Sequence, residues 1–199
     1  QVRQERQESV RQGNDRNVDI SENINIKAWT KFYFPGRNGK YSDFCWNWTH
    51  FHGIDWDENT QKAGIYKFYG KHWDNDVDDE NGNFDYLMGA DVDLNNVDVV
   101  NELISWTRWY IETCNIDGFR LDAVKHIRGD FYKDWLEEIR KESKKEIFAE
   151  AVSLAIEEAI RNNILKETLR NNKAEVTDML LTEFDEKDYI EGVREEGGA

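Results

Sequence analysis

Proline, cysteine, positive charge and long apolar runs are all scarce in this sequence. Among 199 residues there is one proline, Pro35, and there are two cysteines, Cys45 and Cys114. Two cysteines make no disulfide framework and these two are not at metal-binding spacing, so reduced, buried thiols are expected. No run approaches the roughly 18 apolar residues of a membrane span. The opening QVRQERQESVRQ lacks the apolar centre of a signal peptide. These absences predict a cytoplasmic chain with no membrane partner. The 26 lysines and arginines face 41 aspartates and glutamates, a net charge of −15 at pH 7. Nucleic acid demands clustered cations to neutralise phosphate, so no nucleic acid partner is expected. The length suits one domain and excludes a complete eightfold α/β barrel, which takes about 250 residues. What is present suffices for a core: 39% hydrophobic and 13% aromatic residues, with eight tryptophans.

The composition is uneven along the chain. Gln1 to about Glu22 contains no aromatic residue, and residues 1–23 read as a frayed lead-in. All eight tryptophans fall between Trp29 and Trp135. Ile24 to Tyr69 is rich in Trp, Tyr, Phe and Thr and is interrupted by PGRNGK and FHGIDWDENTQKAG, which predicts short irregular strands joined by Gly and Asn turns. From His72 through Thr107 there is no Lys or Arg but there are ten carboxylates. Two thirds of the net charge therefore sits in that stretch.

Beyond it, Val100, Leu103, Ile104, Thr107, Tyr110, Ile111 and Cys114 recur at steps of three and four. That spacing predicts a helix over about Val97 to Thr113, capped by Asn95 or Asn96. In Ile116 to Val124 the period drops to two, with Phe119, Leu121 and Ala123 on one face and Gly118, Arg120 and Asp122 on the other. Phe131, Trp135, Leu136 and Ile139 predict a second amphipathic helix behind Asp130, and Glu146 to Ala149 a short strand. Helix, strand, helix, strand implies a parallel α/β sheet. Past residue 150 the text turns to Ala, Ile, Leu, Glu and Lys. Val152, Ile156, Ile160 and Ile164 predict a helix through about Arg170.

Two constellations carry chemistry. Arg120 and Asp122 lie two apart on one face of a strand, about 6 to 7 Å from each other. A carboxylate beside a guanidinium keeps its charge, which suits a nucleophile or an electrostatic stabiliser more than a general acid. The plain alternative is an edge strand with a wet face. The acidic stretch is the second constellation, since calcium takes six to eight oxygen ligands. Asp91, Asp93, Asn95 and Glu102 fall at EF-hand positions, but Asn96 stands where the loop requires glycine, and a helix begins inside the loop. An EF-hand is thus disfavoured, and Glu102 is expected on the exposed side of its helix. The plain alternative here is a solvated acidic loop. His50, His52, His72 and His126 show no zinc spacing, and Gly36 to Lys40 reads as a turn.

GFRLDAVKHI at 118–127 resembles the fourth-strand motif of the α-amylase superfamily of glycoside hydrolases. KAWTKFYFPGRNGKYSDFCWNWTHFHGIDWDE and IYKFYGKHWDNDVDDENGNFDYLMGADVD resemble domain B of its bacterial liquefying type. The resemblance runs from about residue 24 to 149. It implies a partial (β/α)8 barrel at 97–149 carrying a β-rich, metal-binding domain B at 24–96, followed by a helical tail at 150–199. It also implies a calcium-supported enzyme that cleaves α-1,4-glucans with retention through a covalent intermediate. On that resemblance Asp122 is the nucleophile, Arg120 holds it ionised, and Lys125 and His126 line sugar subsites. Asp74, Asp85, Asp91 and Asp93 match metal-ligating positions, with the backbone carbonyl of His126 beside them.

The sequence also departs from the family pattern. His52 and Asn95 stand where the family commonly has aspartates, which removes ligands from a second calcium and an intervening sodium. The asparagine of the first calcium site would lie before residue 1. Glu150 has the parity of the family's acid and base at the end of the fifth strand, but Ala151 follows it in place of Tyr-Trp. Its plain reading is a helix-opening glutamate. The family's third aspartate and strands one to three are absent. The tail, EEAIRNNILKETLRNNKAEVTDMLLTEFDEKDYIEGVREEGG, resembles the C-terminal region of transposon-encoded PD-(D/E)XK nuclease-family proteins, without their nuclease core.

The expectation is an α-amylase-type hydrolase that is inactive as this chain alone. The alternatives are a non-catalytic calcium- or glucan-binding module and a transposon-associated interaction protein. An open slice of a barrel leaves strand edges and apolar faces that favour self-association.

Overall fold

The computed structural model of the chain describes residues 2–142 and 147–151. Five strands form an antiparallel sheet: β1 (Val2–Arg11), β2 (Ile24–Phe32), β3 (Phe51–Asp57), β4 (Lys62–Phe68) and β5 (Asp91–Val92), in the order β2-β1-β4-β3-β5. Helix α1 (Val97–Cys114), strand β6 (Gly118–Leu121), helix α2 (Gly129–Glu142) and strand β7 (Phe148–Ala151) follow. β6 and β7 pair in parallel from Gly118 opposite Phe148 to Leu121 opposite Ala151. Helix, strand, helix and parallel strand thus succeed one another as the periodicities predict. The helix predicted from Val152 to Arg170 lies outside the described residues.

The frayed lead-in expected over 1–23 is corrected: β1 lies inside the sheet, paired with β2 from Val2 opposite Phe32 to Ser9 opposite Ile24, and with β4 at Ser9 opposite Phe68. Its inward side chains are polar, with Gln7 and Ser9 buried, so no apolar alternation announces it. Glu5 accepts hydrogen bonds from the Trp48 backbone (2.9 Å) and the Thr30 hydroxyl (3.1 Å), while β2 and β4 lend the apolar surface. The turn after β1 is tied down as well. Gln12 Nε2 donates to Asp19 Oδ1 at 2.7 Å, and Asn17 Nδ2 to the Gly82 carbonyl at 2.8 Å.

The sheet encloses a core of Ile26, Ala28, Phe51, Ile54, Tyr66 and Phe68. β3 runs through FHGIDWD, a segment read from sequence as an interruption. Phe51, His52, Gly53 and Ile54 are all buried, because β3 is covered on both faces and so has no alternation to show. Gly53 is required by packing: a Cβ there would lie 2.5 Å from the Tyr66 carbonyl oxygen and 2.9 Å from the Trp73 ring. The PGRNGK segment is a turn as expected, with Asn38 and Gly39 left-handed.

α1 matches its predicted span. Asn96 caps it, its side chain accepting from the Asp98 N–H at 3.0 Å. Glu102 is not on an open face: it is half-buried and accepts from the Ser42 hydroxyl at 2.8 Å. Cys45 and Cys114 are free as expected, but exposed instead of buried. A second core gathers Trp135, Ile139 and Ile147 against Phe119 and Leu121. Trp135 Nε1 donates to the Thr107 hydroxyl at 3.1 Å, and Arg108 pairs with Glu138 at 2.9 Å, joining α2 to α1.

Candidate functional site

β6 is shorter than the predicted strand and ends at Leu121. Ala123 takes a left-handed conformation (φ 53°, ψ 28°) that turns the chain into a single 3-10 turn, Val124–His126. A non-glycine residue held there costs about 1–3 kcal/mol, a strain that clusters at functional positions. Asp122 is exposed, its Oδ1 accepting from the Ala123 N–H at 2.9 Å. Arg120 is exposed too, and the two form no ion pair among the described residues. Among the described residues β6 has one partner strand, β7. A cleft of about 530 Å³ between α1 and α2, lined by residues including Asn101, Arg108, Arg128 and Glu138, does not reach them. Glu150 lies opposite Arg120 in the backbone ladder, and its carboxyl group is outside the described part.

The turn after Asp122 docks against the acidic stretch. The Asp78 N–H donates to the Lys125 carbonyl (3.0 Å), and Lys125 Nζ reaches Glu80 (3.1 Å) and sits 4.8 Å above the Phe84 ring. His126 is buried, and its Nδ1, facing the Phe84 carbonyl at 2.6 Å, must be the donor. Burial holds the His126 ring below its ordinary pKa, with the neighbouring Lys125 charge adding to the effect. His50 is structural: its Nδ1 accepts from the Asn47 N–H at 3.1 Å.

The aspartates singled out in sequence converge. Asp74, Asp85 and Asp93 are buried, and Asp91 is nearly so. Pairing of β3 with β5, Gly53 opposite Asp91, brings Asp91 and Asp93 to His52. Asp74 and Asp85 are joined to each other by the Asp74 N–H donating to Asp85 Oδ2 (2.7 Å). Asn83 bridges them, taking the Asp85 N–H (2.9 Å) and donating to the Asp74 carbonyl (2.8 Å).

His52, which stands where the family commonly has an aspartate, is the centre of this group. It is 1% exposed, with Nδ1 2.9 Å from Asp91 and 3.2 Å from Asp85, and Nε2 3.1 Å from Asp93 and 3.9 Å from Asp74. Lys71 Nζ pairs with Asp93 at 2.5 Å, and Asn95 donates to Asp74. Burial opposes charge on His52, but the surrounding carboxylates of Asp85, Asp91 and Asp93 outweigh it and push its pKa up to about 11. Asp74 is raised to about 6 by burial and by the Asp85 charge. Burial also pushes Asp91 up, while Asp93, though penalised by burial, is held low by His52 and Lys71.

His52, Asp74 and Asp85 offer ligand atoms within 4.8 Å of one another, a group that could hold a metal ion. A calcium ion needs six to eight oxygens around it. Here the carboxylates close on an imidazole, a nitrogen donor that fills the space between them. A calcium ion at the centre of the four aspartates would meet that nitrogen in place of an oxygen, while His52 Nε2 and Asp74 Oδ2 are both buried without a hydrogen-bond partner among the described residues.

The sequence profile of the α-amylase catalytic domain matches residues 21–195, a span that includes most of the tail. The chain is 57% identical over 136 residues to an α-amylase of Geobacillus stearothermophilus, covering 67% of this chain and 25% of that protein. It is 53% identical over 137 residues to the α-amylase of Bacillus licheniformis (69% and 27%), and 46% identical over 138 residues to the cytoplasmic α-amylase of Escherichia coli K12 (67% and 28%). The chain thus spans about a quarter of the length of these curated relatives. No helix among the described residues is long and apolar enough to cross a membrane.

Proposed function

The chain belongs to the α-amylase catalytic-domain family, and on that premise we propose that it is a segment of a retaining α-1,4-glucan hydrolase. In this reading Asp122 is the nucleophile, Arg120 keeps it ionised, and Lys125 and His126 contact the sugar. Glu150 is the acid and base, and the substrate is a starch-like α-glucan. The observation that carries the reading is the turn at Asp122: a strand ends, a strained left-handed alanine follows, and the next residues lock onto the acidic loop. Polar residues at the C-terminal end of a parallel strand are where barrel enzymes place their chemistry.

Retention needs two carboxyl groups about 5 to 5.5 Å apart, in a site that orients the sugar between them. The open setting of Asp122, outside the α1–α2 cleft, supports the inactivity of this chain by itself. Calcium, with sodium beside it, belongs to the reading as a structural ion, with ligands drawn from Asp74, Asp85, Asp91 and Asp93 and the His126 carbonyl. A cytoplasmic location has the support of the Escherichia coli relative's name. Self-association has that of the half-exposed Trp106 and Trp109 on α1. A separate origin for the tail rests on its own resemblance.

The test is release of reducing ends from maltoheptaose by the purified chain. No release above that of Asp122→Asn is expected. Turnover by the unmodified chain that Asp122→Asn abolishes would overturn the inactivity and leave the nucleophile assignment standing.

A further inference from the structure

We propose that Asn38 is a site of spontaneous covalent modification, losing its side-chain amide to attack by the Gly39 backbone nitrogen, and that the fold protects Asn81 from the same reaction. The chain contains Asn-Gly twice, Asn38-Gly39 in PGRNGK and Asn81-Gly82 in DENGNF. Asparagine ahead of glycine is open to this chemistry because glycine has no Cβ to shield its nitrogen and its backbone turns freely. The Gly39 nitrogen bonds to the Asn38 side-chain carbonyl carbon and gives up its proton, and the amide nitrogen leaves as ammonia. A five-membered succinimide ring results. Water then adds across one of its two C–N bonds and leaves either an ordinary aspartyl residue at position 38 or an isoaspartyl one, whose main chain runs through the side-chain carbon. Nothing is oxidised or reduced, and water is the one co-reactant.

The two pairs are alike in sequence and exposure, and both asparagines are left-handed, with φ 49° at Asn38 and 58° at Asn81. They differ in how the peptide group between asparagine and glycine is held. Ring closure requires that group to rotate about the asparagine ψ, until the side chain meets the next nitrogen. Among the described residues, the group between Asn38 and Gly39 makes no hydrogen bond at either end, and the Asn38 side chain makes none. Its turn is closed on either side of it, by the Asn38 N–H donating to the Pro35 carbonyl (3.3 Å) and the Lys40 N–H to the Arg37 carbonyl (2.9 Å). The group between Asn81 and Gly82 is bonded at both ends: its carbonyl accepts from the Arg16 N–H, and its N–H donates to the Asp79 carbonyl, each at 2.9 Å. Asn17 Nδ2 grips the next carbonyl, that of Gly82, and the Asp15 carboxylate fills the space where a Cβ on Gly82 would stand. Rotation at Asn81 therefore breaks a contact with the turn after β1, and rotation at Asn38 breaks none. This inference does not rest on the hydrolase reading.

The test is incubation of the whole 199-residue chain in mildly alkaline buffer, folded and, in parallel, unfolded in guanidinium chloride. Peptide mapping by mass spectrometry follows the gain in mass as each amide becomes a carboxyl group, and electron-transfer fragmentation separates aspartyl from isoaspartyl products. Each site's rate in the folded chain is divided by its own rate in the unfolded chain. That quotient is expected to be at least about tenfold larger at Asn38 than at Asn81, the ratio given by a difference of ~1.4 kcal/mol in local opening. Both aspartyl and isoaspartyl products are expected at position 38. Equal quotients at the two sites, or an Asn38 that stays intact in the folded chain while the unfolded chain converts it, would overturn the inference. An aspartyl product alone would contradict the cyclic route.

Discussion

Asp57 offers a quantitative test of how the sheet is held, because one buried carboxylate serves three donors. The residue is 2% exposed. Its Oδ1 accepts from the Lys27 N–H at 3.0 Å and the Asn59 N–H at 2.9 Å, and its Oδ2 from the Thr60 hydroxyl at 2.6 Å. It thereby forms the turn between β3 and β4 and ties that turn to β2. Hydrogen bonds to a charged partner contribute about 1.5–3 kcal/mol each, but donors near the surface recover water when the partner is lost. Asn59 and Thr60 sit at the exposed turn, so the net loss for Asp57→Ala is about 3 kcal/mol, and Asp57→Asn, which keeps one carbonyl oxygen, loses about 1–2 kcal/mol.

The pH dependence has a definite sign. Burial alone would raise the Asp57 pKa, but the Thr60, Lys27 and Asn59 bonds outweigh it and leave it below the ordinary 3.8. A group depressed in the folded state stabilises above its unfolded pKa, and that stability is lost as the pH falls through the folded value. Urea unfolding followed by tryptophan fluorescence should therefore show a stability gap between the unmodified chain and Asp57→Asn that is constant down to about pH 5 and shrinks below about pH 4. A gap of equal size at about pH 7 and pH 3, or one below about 0.5 kcal/mol throughout, would refute the reasoning.

Three further substitutions probe other parts of the structure. Gly53→Ala should cost about 1–3 kcal/mol in urea unfolding, with a shifted tryptophan emission because Trp73 must move; a neutral result contradicts the close approach of β3 to β4. Ile139→Ala, at a side chain 1% exposed between α2 and the parallel strands, should cost about 2–5 kcal/mol by the same method. Asp122→Asn should leave the unfolding free energy within about 0.5 kcal/mol of the unmodified chain, since the side chain is exposed and, among the described residues, bonds its neighbour's N–H.

Legibility in the sequence followed packing geometry. α1 and α2 each bury one stripe and expose the rest, so their apolar steps were readable, down to Asn96 as the cap of α1. β6 alternates over four residues and was likewise visible, although its end was not: alternation carries no sign of the left-handed backbone at Ala123. β1 and β3 were hidden for opposite reasons. β1 turns polar side chains inward, with Glu5 accepting from Thr30 and from the backbone at Trp48, while β3 is buried on both faces. In neither does polarity track burial. At the carboxylate cluster, the aspartates were conspicuous as a run without a compensating cation. His52 was legible as a histidine where the family commonly has an aspartate, but its contact with Asp91 and Asp93 was not, because it depends on the long-range pairing of β3 with β5.

The assignment of Asp122 within a hydrolase lineage is tested most directly by transplantation. Residues 24–149 would replace the homologous segment of the Geobacillus stearothermophilus α-amylase, and starch hydrolysis by the purified chimera would be measured with and without Asp122→Asn. The account predicts that the folded chimera hydrolyses starch and that Asp122→Asn reduces it to background. A folded chimera whose hydrolysis is indifferent to that substitution would contradict it.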